Sequence, residues 1–287
     1  MANQTSGEAI LMAALSTLPP AQLSDLTNSI STLFRRRHCR LSSVLSSPTL
    51  FSLTLHHLHS LSLHHKSLLI ARHLLYNLIL LKNSMQGASA AAATPLYPSA
   101  SMKLRDLDAV LLLLLLCEIH QHDSRELLET PPSQWRILLH NHVSANILNL
   151  SRFGGFSACE VLNEYIEMVA KCSSFVNVMA CGGELGKAGT GVAAAAAAVV
   201  ALPSVAVSAG GECVICKEET KEGREVCELP CGHYFHWMCI LRWLRKRNTC
   251  PCCRYRLPTD DVRREIDRVF EDLARIAGGV DGGCFCT

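Results

Sequence analysis

The sequence predicts a mainly α-helical N-terminal domain, a small module organised by cysteine and histidine, and a C-terminal helix. Three observations support this order. Apolar residues recur at helical spacing through residues 1–181, eight of the fifteen cysteines crowd into residues 213–253, and residues 257–277 have an amphipathic helical pattern. The expected boundaries are a helical domain over 1–181 with a low-complexity break at 86–101, and an Ala/Gly-rich linker over 182–211. The cysteine module follows over 212–256, then the amphipathic helix over 257–277 and a flexible tail over 278–287.

After "LPP", Leu23, Leu26, Ile30, Leu33 and Phe34 fall on one helix face. Ser47 is a candidate N-cap with Pro48 at the first helical position, where a missing N–H costs nothing. Leu68 to Leu81 is strongly apolar and helical. The pattern resumes from Leu104 through Glu118, and again after Pro131-Pro132 to about Leu150. Within it, "AVLLLLLLC" (Ala109 to Cys117) has nine residues. A bilayer needs about 20, so this is a buried helix. In "ACEVLNEYIEMVAKC", Val161, Leu162, Tyr165, Ile166 and Val169 form a broad apolar face. Val192 to Gly211 is uncharged but dominated by Ala and Gly and interrupted by Pro203, so it is expected to be a linker.

Formal net charge is only +2, which gives no footprint for nucleic acid. Its distribution is uneven: residues 1–105 balance at +7, residues 106–211 at −5, and residues 212–287 at zero. No acid occurs between Leu26 and Arg105. That run suits contact with an anionic surface, or a helical domain whose polar faces use Ser, His and Arg. His56 and His59 could share a helix face, but no acid or cysteine nearby in sequence completes a metal set, so they are expected to be ordinary helix histidines. The start lacks a basic region ahead of an apolar core, so no secretory signal is expected. An odd number of cysteines then favours a reducing compartment over a disulfide framework.

From Glu212 the text changes character. The potential ligands fall as Cys213-x2-Cys216, Cys231-x-His233-x2-His236-x2-Cys239 and Cys250-x2-Cys253. Eight such residues fill two closed tetrahedral sites of the kind zinc prefers, with no position left for a catalytic water. A core of about 45 residues buries too little apolar surface to fold alone, so metal would supply folding energy.

The motifs "CVIC", "LPCGHYFHWMCI", "WL" and "CPCCR" resemble the RING finger of ubiquitin ligases, in the subtype with two central histidines. The resemblance implies cross-braced ligation of two Zn²⁺. Cys213 and Cys216 would share one ion with His236 and Cys239, and Cys231 and His233 the other with Cys250 and Cys253. Cys227 and Cys252 would be bystanders. It further implies that Ile215, Trp243 and Pro251 form an apolar groove for a ubiquitin-conjugating enzyme. Arg254 would bridge that enzyme and the ubiquitin it carries, while the run Arg245 to Arg247 would be solvated or peripheral. The implied activity is transfer of ubiquitin to lysines of a protein substrate, with no covalent intermediate on this chain. A zinc-stabilised interaction scaffold without ligase activity is the alternative.

In "PTDDVRREIDRVFEDLARIAGG", Thr259 is a candidate N-cap, and Val262, Ile266, Val269, Phe270, Leu273 and Ile276 form the apolar face. The terminal "CFCT" is a poor match to a prenylation signal at Cys284. The helical motifs "MAALSTLPPAQLSDLTNSI" and "LSSVLSSPTLFSLTLHHLHSLSL" resemble amyloplast-associated RING ubiquitin ligases of plant shoot gravitropism. That likeness implies action at the cytosolic face of the amyloplast, a plastid, modulating its interaction with actin; the alternative is the cytoplasm.

Overall fold

The computed structural model describes residues 2–86, 102–122, 124–151, 158–181, 192–206, 211–220 and 225–278. The low-complexity break at 87–101, the linker's ends at 182–191 and 207–210, and the tail at 279–287 with Cys284 lie outside the described residues. The chain forms two compact units, and each is described by itself.

Among the described residues, the first unit carries, in chain order, α1 (Ala2–Ser16), α2 (Pro20–Ser46), α3 (Pro48–Ser60), α4 (Leu63–Met85), α5 (Leu104–His122), α6 (Ser124–Glu129), α7 (Trp135–Ser151) and α8 (Ala158–Cys181). Side-chain caps set two of their starts. Ser47 Oγ accepts from the Leu50 amide at 3.3 Å, with Pro48 opening α3. Ser62 Oγ accepts from the His65 amide at 3.3 Å, opening α4.

One apolar cluster joins α2, α3, α5 and α7 through Val44, Leu45, Phe51, Leu112, Leu115, Ile119, Leu139 and Val143. Each such side chain, once buried, contributes about 2 kcal/mol by leaving water. The run from Ala109 to Cys117 is thus a core helix, and no helix among the described residues is long and apolar enough to cross a membrane.

α8 packs along α4, with Val161, Tyr165 and Val169 buried as its periodicity predicts. Three polar contacts tie helices of this unit together. Tyr165 donates its hydroxyl to the Asn77 carbonyl at 2.8 Å, and Arg37 Nη2 donates to Asn77 Oδ1 at 2.8 Å. Arg40 grips Asp108 with two 2.6 Å bonds, and the Asp108 carboxylate is almost wholly buried.

The second unit has a three-stranded antiparallel sheet in the order β1 (Ser204–Ala206), β4 (Glu225–Glu228), β5 (Tyr234–Phe235), and a hairpin of β2 (Gly211–Glu212) with β3 (Glu219–Thr220). Its helices are α9 (Ala196–Val200) and α10 (Trp237–Leu244). Phe235, Ile240, Leu244, Leu229 and Leu257 centre its core.

Part of the expected linker is folded. Val205 pairs with Val226 in the sheet, and Leu202 is buried in the core. The Ala194 amide donates to the Leu244 carbonyl at 2.9 Å, and the Ala195 amide to the Pro258 carbonyl at 2.7 Å. Alanine-rich sequence was read as spacer, but alanine also favours helix and fits where larger side chains cannot.

The last helix, α11 (Val262–Ala277), crosses the division between the units at Val269. Val262, Ile266, Val269 and Leu273 are buried and Phe270 is half-buried, as the amphipathic pattern required. Its cap is not Thr259. Asp261 Oδ1 accepts from the Arg263 and Arg264 amides at 3.1 and 3.3 Å. Thr259 lies outside the first turn and is buried against Glu265.

Candidate functional site

Three of the four ligand pairs sit at tight turns, and the fourth opens a helix. The β2–β3 hairpin, closed by Gly211 opposite Thr220 and Glu212 opposite Glu219, carries Cys213 and Cys216 at its tip. The turn between β4 and β5 carries Cys231 and His233, with Gly232 at φ 77 where a side chain would be strained. His236 is the N-cap residue of α10 and Cys239 lies in its first turn. Cys250 and Cys253 lie in the turn closed by the bridge between Thr249 and Arg256.

The tips converge into two sets: Cys213, Cys216, His236 and Cys239, and Cys231, His233, Cys250 and Cys253. Within each, the donor atoms all lie within 4.8 Å of one another. The sets interleave along the chain, which is the cross-brace. Cys227 and Cys252 belong to neither: Cys227 is buried in β4 and Cys252 is exposed.

The donors fit zinc. Tetrahedral Zn–S and Zn–N bonds imply sulfur–nitrogen edges of about 3.5 Å. Cys216 Sγ lies 3.3 Å from His236 Nδ1, and Cys231 Sγ lies 3.4 Å from His233 Nδ1. Both histidines therefore present the same ring nitrogen.

Burial pushes the Cys231 thiol up to about 12, with Cys253 and Cys250 adding to the shift, and the Cys239 thiol up to about 11 beside Cys216 and Cys213. Burial also acts against Cys213 and Cys253. There, backbone hydrogen bonds outweigh it and hold both below the usual thiol range. Metal binding in either set requires its thiols to give up their protons.

The two Cys-x2-Cys turns share one backbone design. The residue after the second cysteine is left-handed in both, Lys217 at φ 63 and Arg254 at φ 61. Its amide donates to the first cysteine's carbonyl, Lys217 to Cys213 at 2.8 Å and Arg254 to Cys250 at 3.0 Å. The turn therefore fixes the backbone of Arg254 and leaves its side chain exposed.

Around this scaffold, Ile215, Trp243 and Pro251 are half-buried, and Ile215 and Trp243 pack against the same core. Trp243 Nε1 donates to the Thr249 carbonyl at 2.6 Å, locking the indole. The Arg247 guanidinium stands 5.3 Å from the centre of that ring. Arg247 is itself exposed, and Trp243 lies four residues before it in the sequence.

Comparison with known proteins agrees with this geometry. The Ring finger domain family matches residues 211–254. E3 ubiquitin-protein ligase SGR9, amyloplastic, from Arabidopsis thaliana is 50% identical over 279 residues, covering 93% of this chain and 95% of that protein. The chain belongs to the RING-type E3 ubiquitin-protein ligases. Other members match a shorter part of the chain. The RNF181 homologue of Drosophila melanogaster is 53% identical over 22% of this chain and 44% of its own length. RNF181 of Danio rerio is 47% identical over 28% of this chain and 62% of its own length. As a RING-type ligase the protein is a ubiquitin transferase, and its partners are a ubiquitin-conjugating enzyme and a protein substrate. The near full-length match to SGR9 extends the likeness into the helical unit, which the finger alone does not.

Proposed function

We propose that the two cysteine–histidine sets each hold one Zn²⁺, and that the finger they brace positions a conjugating enzyme charged with ubiquitin. The supporting observation is the interleaving of two Cys₃His sets, each within 4.8 Å, on the turns and the helix start of one small unit. The ions would supply structure; the transfer itself needs groups on the chain's surface.

Ile215 and Pro251, one on each Cys-x2-Cys turn, and Trp243 on α10 present the docking face. Each retains exposed area, and Ile215 and Trp243 are anchored on the core below. Arg254 follows the second turn, and its planar guanidinium can donate to carbonyls of enzyme and ubiquitin together. Held this way, the thioester carbonyl is attacked by a substrate lysine amine. The C–N bond forms, the C–S bond breaks, and the conjugating enzyme's cysteine leaves as thiolate. The gain comes from proximity and restricted motion.

The name of the near full-length relative supports placing this activity at the amyloplast. We place the helical unit at the plastid's cytosolic face, where ubiquitin is available. The resemblance of the helical motifs to gravitropism ligases points to modulation of the amyloplast–actin interaction.

The test is self-ubiquitylation by purified protein with conjugating enzyme and ubiquitin. Activity that Cys231→Ser abolishes is expected. A wild-type protein that binds the enzyme but transfers nothing would instead support the scaffold alternative.

A further inference from the structure

We propose that one corner of the helical unit, where α3 ends and α4 and α5 begin, is a docking surface for an anionic lipid bilayer. This rests on the plastid-surface reading and gives it a contact site.

Helix α3 separates its residues sharply. Phe51, Thr54, His57 and Leu58 are buried, whereas Leu53, His56 and His59 are exposed. The first turn of α4 exposes Leu63, His64 and His65, and the start of α5 exposes Lys103, Leu104 and Arg105. His57 Nε2 lies 3.1 Å from Asp106 Oδ1, which ties the end of α3 to the start of α5. Three leucines on these elements thus stand exposed, 68% at Leu53 within α3, 58% at Leu63 and 57% at Leu104. Single exposed leucines need no explanation, but a group of them beside cations marks an interaction surface.

Charge selects the partner. The stretch from Leu26 to Arg105 holds no acid. Of its cations, Arg37 is engaged by Asn77, Arg40 by Asp108 and Lys82 by Asp272. Lys103 and Arg105 remain outward, and Asp106, the acid next in sequence, is engaged by His57. Leu104 flanked by Lys103 and Arg105, with Leu63 exposed beside His64 and His65, suits a bilayer interface. The apolar side chain enters the acyl boundary while its charged neighbour stays among the phosphates, and no shape-matched pocket is required.

The test is co-sedimentation of the full zinc-loaded chain with vesicles of phosphatidylcholine, with and without phosphatidylglycerol. Binding is expected to the anionic vesicles only. Lys103→Ala and Arg105→Ala should weaken it by about fivefold each. Leu53→Ser with Leu63→Ser should abolish it, with circular dichroism and self-ubiquitylation unchanged. If the leucine variants misfold, the charge variants still decide. Equal binding to both vesicle types, or wild-type binding by the charge variants, overturns the proposal. So does binding to isolated plastids that protease treatment of the plastids removes while vesicles capture nothing, since the partner is then a protein. Plastid fractionation separates the two readings. A vesicle-binding chain that never sediments with plastids removes the plastid assignment and leaves the lipid surface standing. Charge variants that lose vesicles yet stay on plastids remove the surface as the attachment site.

Discussion

Glu265 Oε1 accepts two hydrogen bonds from Thr259, one from its amide at 2.9 Å and one from its hydroxyl at 3.0 Å. Arg268 Nη2 lies 2.6 Å from the other carboxylate oxygen, as an ionic contact rather than a well-aligned hydrogen bond. The Glu265 side chain is almost wholly buried, so its charge persists only because both oxygens have partners. Glu265→Ala is expected to destabilise the second unit by about 3 kcal/mol, because it removes the buried carboxylate beside Arg268 and the acceptor of both Thr259 donors. Denaturant unfolding should show the loss, and amide exchange at Thr259 should accelerate.

Removing metal should separate the two units. Chelation is expected to unfold residues 211–256, while most of the helical circular-dichroism signal, carried by α1 to α8, survives. Because β1 and α9 are bonded to the finger, Val205 and Ala195 should lose exchange protection together with it. Loss of the whole helical signal would contradict this.

Arg254 and Lys217 share a backbone and differ in task, which allows a controlled comparison. Arg254→Ala should fold and bind metal yet discharge ubiquitin from the conjugating enzyme far more slowly. Arg254→Gly and Lys217→Gly each relieve a left-handed φ, worth about 1 kcal/mol. Both should therefore be at least as stable as wild type, but only Arg254→Gly should lose activity. Equal discharge by the two glycine variants would remove Arg254 from the transfer step.

Docking should depend on the apolar face independently of the metal. Ile215→Ala and Trp243→Ala are expected to weaken conjugating-enzyme binding by about 2 kcal/mol each, with zinc content unchanged. Titration calorimetry beside metal analysis checks both parts. Arg247→Ala should have a smaller effect, since it touches the outer face of the indole.

The helical unit should lose stability in mild acid. His73 is buried, and burial followed by the Arg37 charge holds its pKa well below the ordinary histidine value. The folded state therefore binds no proton there when the unfolded chain, titrating near about 6.5, already does. Stability is full above that value and falls as pH drops below it, by about 1.4 kcal/mol per pH unit until the folded pKa is reached. Urea unfolding at neutral pH and in mild acid, for wild type and His73→Leu, should show a smaller acid loss in the variant.

The zinc-type ligand pattern was legible because its spacing is local: two residues between cysteines set a turn, and a turn aims both thiols one way. The amphipathic faces of α8 and α11 were legible for the same reason. Other features required chain segments far apart to meet. Thr259 matched a cap by residue type, yet Asp261 holds that place because Glu265, six residues on, captures Thr259. The alanine-rich stretch matched a spacer by composition, yet it folds onto the finger, with Leu202 in its core, Val199 and Ala194 against it, and Val205 in its sheet. His57 had no acid near it in sequence, but helix packing brings Asp106 to it from 49 positions away. Sequence alone determined which turns and helices form and which side chains converge at each tip, since those depend on neighbours. Tertiary structure decided which polar groups are buried with partners and which leucines and cations are left facing outward, since burial depends on what the rest of the chain covers.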